Sequence, residues 1–436
     1  MMRYVTFVVI GLFMMSASET DITSAPGSKP NNESGFETSV DEATRTQALQ
    51  IFLSKGISST RDYLKLQLAT NNDLPHHDLL ISDWLIQSGR MADAIQIIER
   101  LAADSPPRKD IHYTFARIAL GQGRVFDAAT HVEQIQKLPF EGKWSDKYRK
   151  QFTNSVRELQ AKIAEKRGDW KTAFELYSSL IAANPGSLMI RLGLAKSAFH
   201  TNNLEIAQKN LRLLEQAQQP MVLGEVVIAK WFEESGDTKS TEDWFRKSLE
   251  RGEPDAATRE YAMWLLRTGR PAEISKLLEP LSIESRSRPE FILLVAQADQ
   301  MNGEFSKTIP TLQELVNADD NPKAAKMHLA WALSDSDQSD ERKMAIEVAK
   351  SLLEQVDATN PVAVATLAWA QYRAGELELA VETLNKFSSS NLDRDVAFFV
   401  ARIQESRGDK ELSQVLDDAI IKSKGEFYHT TRMPKK

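Results

Sequence analysis

A recurring glycine constrains the fold of this 436-residue chain more than any other feature of its sequence. It returns every 33 or 34 residues over most of the length, and an asparagine replaces it once. Glycine ends a helix at little cost because it adopts the left-handed conformation freely, and asparagine is the residue that best replaces it there. The spacing predicts turns of helical hairpins at Gly56, Gly89, Gly123, Gly168, Asn202, Gly236, Gly269, Gly303, Gly375 and Gly408.

Alanine occupies two fixed positions around these turns, one on each predicted helix. Small side chains there let two antiparallel helices approach to about 8–10 Å. Prolines close many of the units, because proline cannot continue a helix. The alanines seven residues before a turn are Ala116, Ala161, Ala195, Ala229, Ala262, Ala296, Ala330, Ala368 and Ala401, and those five residues after one are Ala94, Ala128, Ala173, Ala207 and Ala380.

A 34-residue helix–turn–helix with small residues at two positions and a closing proline resembles the tetratricopeptide repeat. The match is clearest in residues 154–187 and 361–394, and it extends over about residues 44–424. The resemblance implies an all-α fold, an α-solenoid of about ten to eleven helical hairpins. It also implies that the first helices line a concave face that receives peptides.

Two irregularities interrupt the period. A 45-residue gap predicts an irregular insertion at residues 142–153, which bends the solenoid or lengthens a helix. It separates N-terminal hairpins at residues 44–141 from a main array at residues 154–424. The second irregularity is a hairpin whose turn lacks glycine, in the acidic segment Ser334–Glu341. Because this segment lacks the glycine and terminal glutamate of a calcium loop, a solvated, lengthened turn is favoured.

Both ends of the chain differ from the repeats. Arg3, an apolar run at residues 4–15 and small residues ending at Ser18 predict a signal peptide at residues 1–18, cleaved after Ser18. The protein would then be periplasmic or secreted, and an uncleaved N-terminal membrane anchor is the alternative. Residues 19–43 are rich in Ser, Thr, Pro, Gly and Asn, which predicts a disordered linker. Residues 425–436 are predicted to be a frayed basic tail.

Composition excludes several classes of function. The net charge of −7 and pI near 5.7 exclude an overall basic nucleic-acid binder. The absence of cysteine excludes disulfides, thiolate metal sites and cysteine nucleophiles. Neighbouring helical residues point in different directions, so His76 and His77 are predicted to make a poor metal site. With no nucleotide-binding or hydrolase motif, the sequence predicts no catalytic residue, no metal and no cofactor.

The residue after each first-helix alanine is the candidate position for binding. Four basic side chains would attract acidic groups, and aromatic side chains farther along would anchor apolar ones. Together they predict a groove for an extended acidic–apolar segment of a protein partner. The alternative is that the basic residues pair with nearby Glu165 or Glu233 and that the tryptophans pack between repeats. The candidates are Arg117, Lys162, Lys196, Lys230, Trp331, Trp369, Tyr372, Phe398 and Arg402.

These patterns favour an exported, non-catalytic scaffold or adaptor that binds a peptide segment or a partner protein. One alternative is a non-catalytic subunit of a polysaccharide-export or outer-membrane assembly. Another is an enzyme of the helical-toroid type, which would place an acid and a base carboxylate in a polar pocket. Fold alone does not decide among these three functions.

Overall fold

The computed structural model describes residues 42–69, 75–140, 144–217, 223–251, 254–318, 323–386 and 392–433. Within these ranges every regular element is an α-helix or a short 3-10 helix, so the all-α prediction is confirmed. The predicted signal peptide, and the predicted linker except its last two residues, lie outside the described residues.

The chain divides into two compact units, an N-terminal unit that ends at Gly224 and a C-terminal unit that begins at Glu225. The division falls inside the predicted main array. In the N-terminal unit, four hairpins follow a helix α1 that is interrupted at Gly56. The helices of this unit are α1 (Glu42–Leu68), α2 (His77–Gln87), α3 (Met91–Asp104), α4 (Lys109–Gly121), α5 (Val125–Lys137), α6 (Asp146–Lys166), α7 (Trp170–Ala183), α8 (Leu188–His200) and α9 (Leu204–Ala217).

The C-terminal unit contains six hairpins. In one of them Pro280 prevents a continuous second helix, which is replaced by α13, α14 and a 3-10 turn at Pro271–Glu273. The ten hairpins of the two units agree with the predicted ten to eleven. The helices are α10 (Gly224–Ser235), α11 (Thr238–Leu249), α12 (Pro254–Arg267), α13 (Ile274–Leu278), α14 (Ile283–Arg286), α15 (Pro289–Met301), α16 (Phe305–Asn317), α17 (Lys323–Ser334), α18 (Ser339–Glu354), α19 (Pro361–Arg373), α20 (Leu377–Leu384), α21 (Arg394–Arg407) and α22 (Lys410–Lys422).

Nine of the predicted turns separate the two helices of a hairpin, whereas Gly56 interrupts α1. All ten turn residues have a positive φ, including Asn202 at 60°. At three turns the next residue is an aspartate whose carboxylate accepts a hydrogen bond from a backbone N–H three residues on, which caps the second helix. A Gly-Asp pair therefore ends one helix and begins the next. These aspartates are Asp169, Asp237 and Asp409.

The predicted packing alanines form the narrow seam between the helices of each hairpin. All fourteen of them are at most 2% exposed. Larger side chains fill the wider spaces, and Leu211, Phe245 and Trp264 are each almost fully buried. The core is therefore a run of hairpin interfaces, as stacked repeats require.

The extra residues of the 45-residue gap lengthen a helix. α6 has 21 residues, and its first turns bury Tyr148 and Phe152. The ring of Trp144 lies 4.8 Å from the first and 5.2 Å from the second, centroid to centroid. Residues 146–153 of the predicted insertion are therefore helical and not irregular, in agreement with the alternative that the gap lengthens a helix. These residues are helical because the side chains of Tyr148 and Phe152 pack against the ring of Trp144.

The hairpin without a glycine turns through residues 335–338. The Ser336 hydroxyl donates to the Glu341 carboxylate and accepts a hydrogen bond from the Gln338 backbone N–H at 3.0 Å, so side chains shape this turn. Asp335 and Ser336 are buried. The prediction of a solvated turn is wrong at these two residues, because another part of the chain covers them.

Candidate functional site

The first helices of successive hairpins lie side by side within each unit. In the N-terminal unit α4 contacts α6 and α6 contacts α8, and in the C-terminal unit contacts link α12, α15, α17, α19 and α21 in that order. The surface shared by these first helices is called the first-helix face below. All nine candidate residues lie on first helices, at the position after the buried alanine or one turn from it.

The three predicted basic residues of the N-terminal unit are ion-paired. Arg117 on α4 lies 2.8 Å from the carboxylate of Asp83 on α2. Lys196 on α8 lies 3.1 Å from Glu165 on α6. Lys162 pairs with a glutamate of its own helix at 2.7 Å. Two of the three pairs therefore join one hairpin to the next across the face.

The basic residues of the C-terminal unit are paired in the same way. Lys230 on α10 lies 2.8 Å from Glu260 on α12. Arg402 lies 2.6 Å from Glu405 and also contacts Asp417. The protein's own carboxylates thus neutralise the predicted cations. That these cations attract an acidic partner segment stays a prediction.

The predicted aromatic anchors are buried. Trp331, Trp369 and Phe398 are only 2–3% exposed, and Phe399, which the sequence reasoning passed over, stacks on Trp369 at 4.7 Å. Tyr372 is half-buried, and its hydroxyl lies 2.8 Å from the hydroxyl of Ser406. The prediction that Trp331, Trp369 and Phe398 are free to anchor a partner is wrong. Together with Phe399 they are called the aromatic wall below.

Residues 425–433 lie across the aromatic wall. Phe427, Tyr428 and His429 are 0–4% exposed. The Phe427 ring lies 5.9 Å from Phe398, and the Tyr428 ring lies 5.7 Å from Trp331. The predicted frayed tail is therefore wrong for these residues, because three consecutive ring side chains bury themselves on the first-helix face.

The same segment continues toward earlier hairpins. Arg432 donates a hydrogen bond to the backbone oxygen of Asp335, 97 residues away in sequence, at 3.0 Å. Thr431 lies against the turn at Gly303, where a Cβ atom would come within 2.8 Å of its hydroxyl oxygen. The segment thus reaches from α21 past α19 to the turns that follow α15 and α17.

His429 lies between two carboxylates. Its Nδ1 is 2.5 Å from an oxygen of Asp395, and its Nε2 is 3.2 Å from an oxygen of Asp335. The Asp395 carboxylate also accepts hydrogen bonds from the backbone N–H groups of Tyr428 and His429, at 3.1 Å each. Five aromatic rings surround the imidazole at centroid distances of 4.8–6.0 Å: Phe399, Phe305, Phe398, Trp331 and Trp369.

These contacts decide the charge of His429. Burial alone would lower its pKa, but the hydrogen bond that Nδ1 makes to Asp395 and the attraction of the Asp335 and Asp395 carboxylates outweigh burial and raise the pKa to about 9. At neutral pH the ring is therefore a cation. Burial and the charge of His429 lower the pKa of neighbouring His328 to about 3, so that ring is neutral. The site is a buried cation between two anions, enclosed by aromatic rings.

Sequence reasoning missed Asp335, Asp395 and His429. They lie far apart in the chain, and none falls on the candidate position after an alanine. Two signals point toward them. One is the pair Phe427–Tyr428 in a segment that otherwise looks polar, and the other is the absence of glycine from the turn at residues 335–338.

A separate histidine cluster lies at the start of α2. His76 precedes the helix, so its ring and that of His77 do not diverge, and their ligand atoms lie within 4.8 Å of a carboxylate oxygen of Asp78. The prediction that the two rings point apart is wrong for this reason. Arg61 binds Asp78 at 2.7 Å, and the helix N-terminus is the positive end of its dipole. Both features oppose a bound cation, so we assign no metal here.

A cleft of about 660 Å³ lies beside residues 280–285. At these residues the second helix of a C-terminal hairpin is divided into α13 and α14. Among the residues that line the cleft are Asp255, Arg259, Arg288 and Phe291. Arg288 is paired with Asp255, and Arg259 is paired with Glu260. Since its charged groups are already paired, the cleft presents no unbalanced charge to a ligand.

Residues 158–219 match the family model of the tetratricopeptide repeat. This stretch covers most of α6 and all of α7, α8 and α9, with turns at Gly168 and Asn202. The same hairpin, with its left-handed turn and buried alanines, recurs on both sides of the stretch. The chain therefore contains tetratricopeptide repeats.

Several solved structures are similar to this tetratricopeptide-repeat protein at low sequence identity. Yeast Tom70 is 13% identical, with 87% of this chain and 91% of that chain covered and a TM-score of 0.36. Naa15/Naa10 bound to HypK-THB is 14% identical, with 86% and 62% covered and a TM-score of 0.32. The P58(IPK) TPR domain is 12% identical, with 87% and 98% covered and a TM-score of 0.26.

No curated protein matches the sequence of this tetratricopeptide-repeat protein. In the part of the chain that the structure describes, no helix has both the length and the apolar character needed to span a bilayer. The repeat places the protein in a broad class whose members act as scaffolds for protein interaction.

Proposed function

We propose that this tetratricopeptide-repeat protein is an exported, non-catalytic scaffold that binds partners by holding extended polypeptide segments on its first-helix face. One observation carries the proposal. In the C-terminal unit a polypeptide segment, residues 425–433, already lies on that face. The face therefore has the shape and the chemistry that holding a peptide requires.

The contacts of this segment are of two kinds. Asp395 accepts hydrogen bonds from two successive backbone N–H groups, which are contacts that any polypeptide other than proline can offer. Phe427, Tyr428 and His429 bury their rings among aromatic side chains, which is how anchor residues gain most of their binding energy. Main-chain contacts combined with pockets for particular side chains are typical of peptide recognition.

The same contacts argue against catalysis at this site. An enzyme of the helical-toroid type needs two carboxylates that converge on a substrate. The buried carboxylates of Asp335 and Asp395 converge on His429 instead. Burial raises the pKa of Asp393 to about 6, but its carboxylate accepts the Val396 N–H at 2.7 Å and caps α21. These acids have structural partners, which favours binding over proton transfer.

Export is supported by the sequence of residues 1–18. The apolar run after Arg3 is about as long as the core of a secretory signal and shorter than a membrane span. Mass spectrometry of the protein purified from the envelope fraction tests this. We expect Glu19 as its first residue, and recovery of the chain from the cytoplasm with residues 1–18 attached would contradict export.

Photo-crosslinking tests the scaffold function. A photoreactive amino acid replaces Lys162, whose side chain is 42% exposed on the first-helix face of the N-terminal unit. The matched control carries the same group in place of Phe126 on second helix α5, which is 79% exposed. Both variants are expressed in the source organism, irradiated and purified, and adducts are identified by mass spectrometry.

We expect a protein adduct from position 162 and none of the same mass from position 126. The difference would show that a partner approaches the first helices. Equal adducts from both positions, or none from position 162 in a correctly folded protein, would contradict the proposal.

A further inference from the structure

The surroundings of His429 have the composition of a cation-recognition site. Aromatic rings attract a cation through the negative charge of their faces when it lies within about 6 Å of the ring centre. Five rings meet that distance around His429, and two carboxylates contact its nitrogens. A lysine or arginine cation placed between these groups would be attracted by the same two carboxylates and the same rings.

Contacts on either side of His429 add selectivity. The ring of Tyr428 lies edge-on to His328 at 4.6 Å, and the Phe427 ring lies 4.9 Å below the guanidinium of Arg394. Arg394 also donates to the backbone oxygen of Gly425 at 2.9 Å. The site therefore selects a segment with two aromatic residues followed by a cation. The backbone N–H groups of that segment donate to Asp395.

The path of the segment distinguishes it from a cap on the last hairpin. A capping element covers the exposed end of a repeat array. Residues 425–433 instead run along the first-helix face, from α21 to the turns that precede α18 and α16. A peptide bound across several repeats follows such a path.

The connection to α22 is short and free of regular structure. Lys424 is exposed, and Gly425 has a φ of +113° at a bend that follows the end of α22. A segment tethered so closely has an effective concentration in the millimolar range at its own site. A partner segment therefore replaces it only if the dissociation constant of the partner for the site lies well below that effective concentration.

We propose that the aromatic wall, with Asp335 and Asp395, is a recognition site for a polypeptide segment carrying two aromatic residues followed by a cationic side chain. Residues 425–433 occupy this site within the same chain, and a partner segment of the same chemistry binds by displacing them. The proposal rests on the proposed function, since it names the chemistry of the partner and the way in which access to one part of the face is controlled.

The test uses the full chain with a protease recognition sequence inserted between Lys424 and Gly425. After cleavage, the segment is held by non-covalent contacts alone, and circular dichroism checks that the helices persist. The probe is a fluorescent peptide with the sequence of residues 424–433, followed by fluorescence anisotropy. We expect the cleaved protein to bind the peptide at micromolar concentration and the uncleaved protein to bind it at least a hundredfold more weakly.

Peptide variants separate charge from shape. Peptides with His429→Lys or His429→Arg should bind within about tenfold of the native peptide, and one with His429→Gln at least thirtyfold more weakly. A second protein variant avoids cleavage altogether. Full-length His429→Gln keeps the wall but weakens its own segment, so it should bind the native peptide at least tenfold more tightly than the unmodified chain does.

Three results would overturn the proposal. They are equal binding of the native and His429→Gln peptides, failure of folded cleaved protein and of full-length His429→Gln to take up any peptide, and a dimer of uncleaved chains that exchange their segments. The last result would make a second copy the occupant. None of these results bears on crosslinking from position 162, so the scaffold function can stand while this proposal fails.

Discussion

In the N-terminal unit, the position after the buried alanine holds Arg117, Lys162 and Lys196, which are partly exposed and ion-paired. In two hairpins of the C-terminal unit, the same position holds Trp331 and Trp369, which are buried under residues 425–433. The hairpins are alike in their turns and their alanine seams. The backbone pattern therefore fixes where a side chain lies, and the side chain itself decides whether the surface stays in water or is covered.

The interactions that stabilise the two faces also differ in strength and in their dependence on salt. A partly exposed ion pair stabilises a fold by about 0.2–1 kcal/mol and weakens in salt. Burial of one large apolar side chain contributes roughly 1.5–3 kcal/mol and depends little on salt. We therefore expect substitutions around His429 to have large, local effects and substitutions in the N-terminal ion pairs to have small, salt-dependent ones.

The largest effect is expected for Asp395→Ala. It removes a buried carboxylate that accepts three hydrogen bonds and leaves the His429 cation with one anion. Breaking a buried, hydrogen-bonded charge pair costs about 3–5 kcal/mol. Urea unfolding, with hydrogen exchange at Tyr428 and His429, measures the loss. Asp340→Ala is the control, because that side chain is 96% exposed. Equal losses in both variants would show that the buried Asp395 carboxylate contributes no more to stability than an exposed one.

The second largest effect is a dependence of the free energy of unfolding on pH. Because the pKa of His429 is raised to about 9 from an unfolded value near 6.5, its protonation stabilises the fold fully below pH 6.5. This contribution falls as pH rises through about 9, by roughly 3 kcal/mol in total. The difference in unfolding free energy between the native protein and His429→Gln should therefore shrink over this range. His328 is neutral throughout it in the native protein, and a constant difference would contradict the assigned charge.

A smaller effect should distinguish two glycine turns of the C-terminal unit. Gly303→Ala and Gly236→Ala both place a Cβ on a left-handed residue, at a cost of about 1–2 kcal/mol. At Gly303 the Cβ also meets Thr431, whereas nothing lies within 4 Å at Gly236. Hydrogen exchange should therefore speed up in residues 427–432 in the first variant alone. The same rate in both variants would show that Thr431 does not rest on this turn.

The smallest effect concerns the ion pair between Lys196 and Glu165. Both side chains are partly exposed, so Lys196→Gln should cost about 0.5 kcal/mol at low salt. Glu165→Gln and the double variant complete a cycle with the native protein and Lys196→Gln, and 1 M salt should abolish the coupling between the two residues. Thermal unfolding of the four proteins of this cycle measures the coupling. A coupling above about 2 kcal/mol would mean that this face is no weaker than the aromatic one.

The sequence predicts those parts of the fold that are determined by residues close together in the chain. A left-handed turn needs glycine or asparagine at one residue, so Gly168 and Asn202 mark their turns without reference to anything distant. The alanine seam is set by helical spacing and is equally visible. Even the lengthened α6 follows from local counting, although its regularity depends on Trp144, which packs on the added turns.

The candidate site depends on contacts between distant residues, and there the sequence is much less informative. Lys196 and Glu165 are one repeat apart, so their pairing could be named as an alternative. Asp335 and Arg432 are 97 residues apart and belong to different patterns, an acidic turn and a basic tail, each of which suggests solvent exposure when read alone. The Asp335 carboxylate can be buried because His429 and Arg373 each lie 3.2 Å from one of its oxygens, with aromatic rings beside it.

The separation between Asp335 and Arg432 has a consequence for biosynthesis. At a translation rate of about 5–20 residues per second, the ribosome needs roughly 5–20 s to make the residues between them. During that interval the nascent chain carries Trp331, and then Trp369, without the segment that shields them. A chaperone that recognises aromatic surface has this time in which to bind, and maturation of the unit finishes only when Phe427, Tyr428 and His429 emerge.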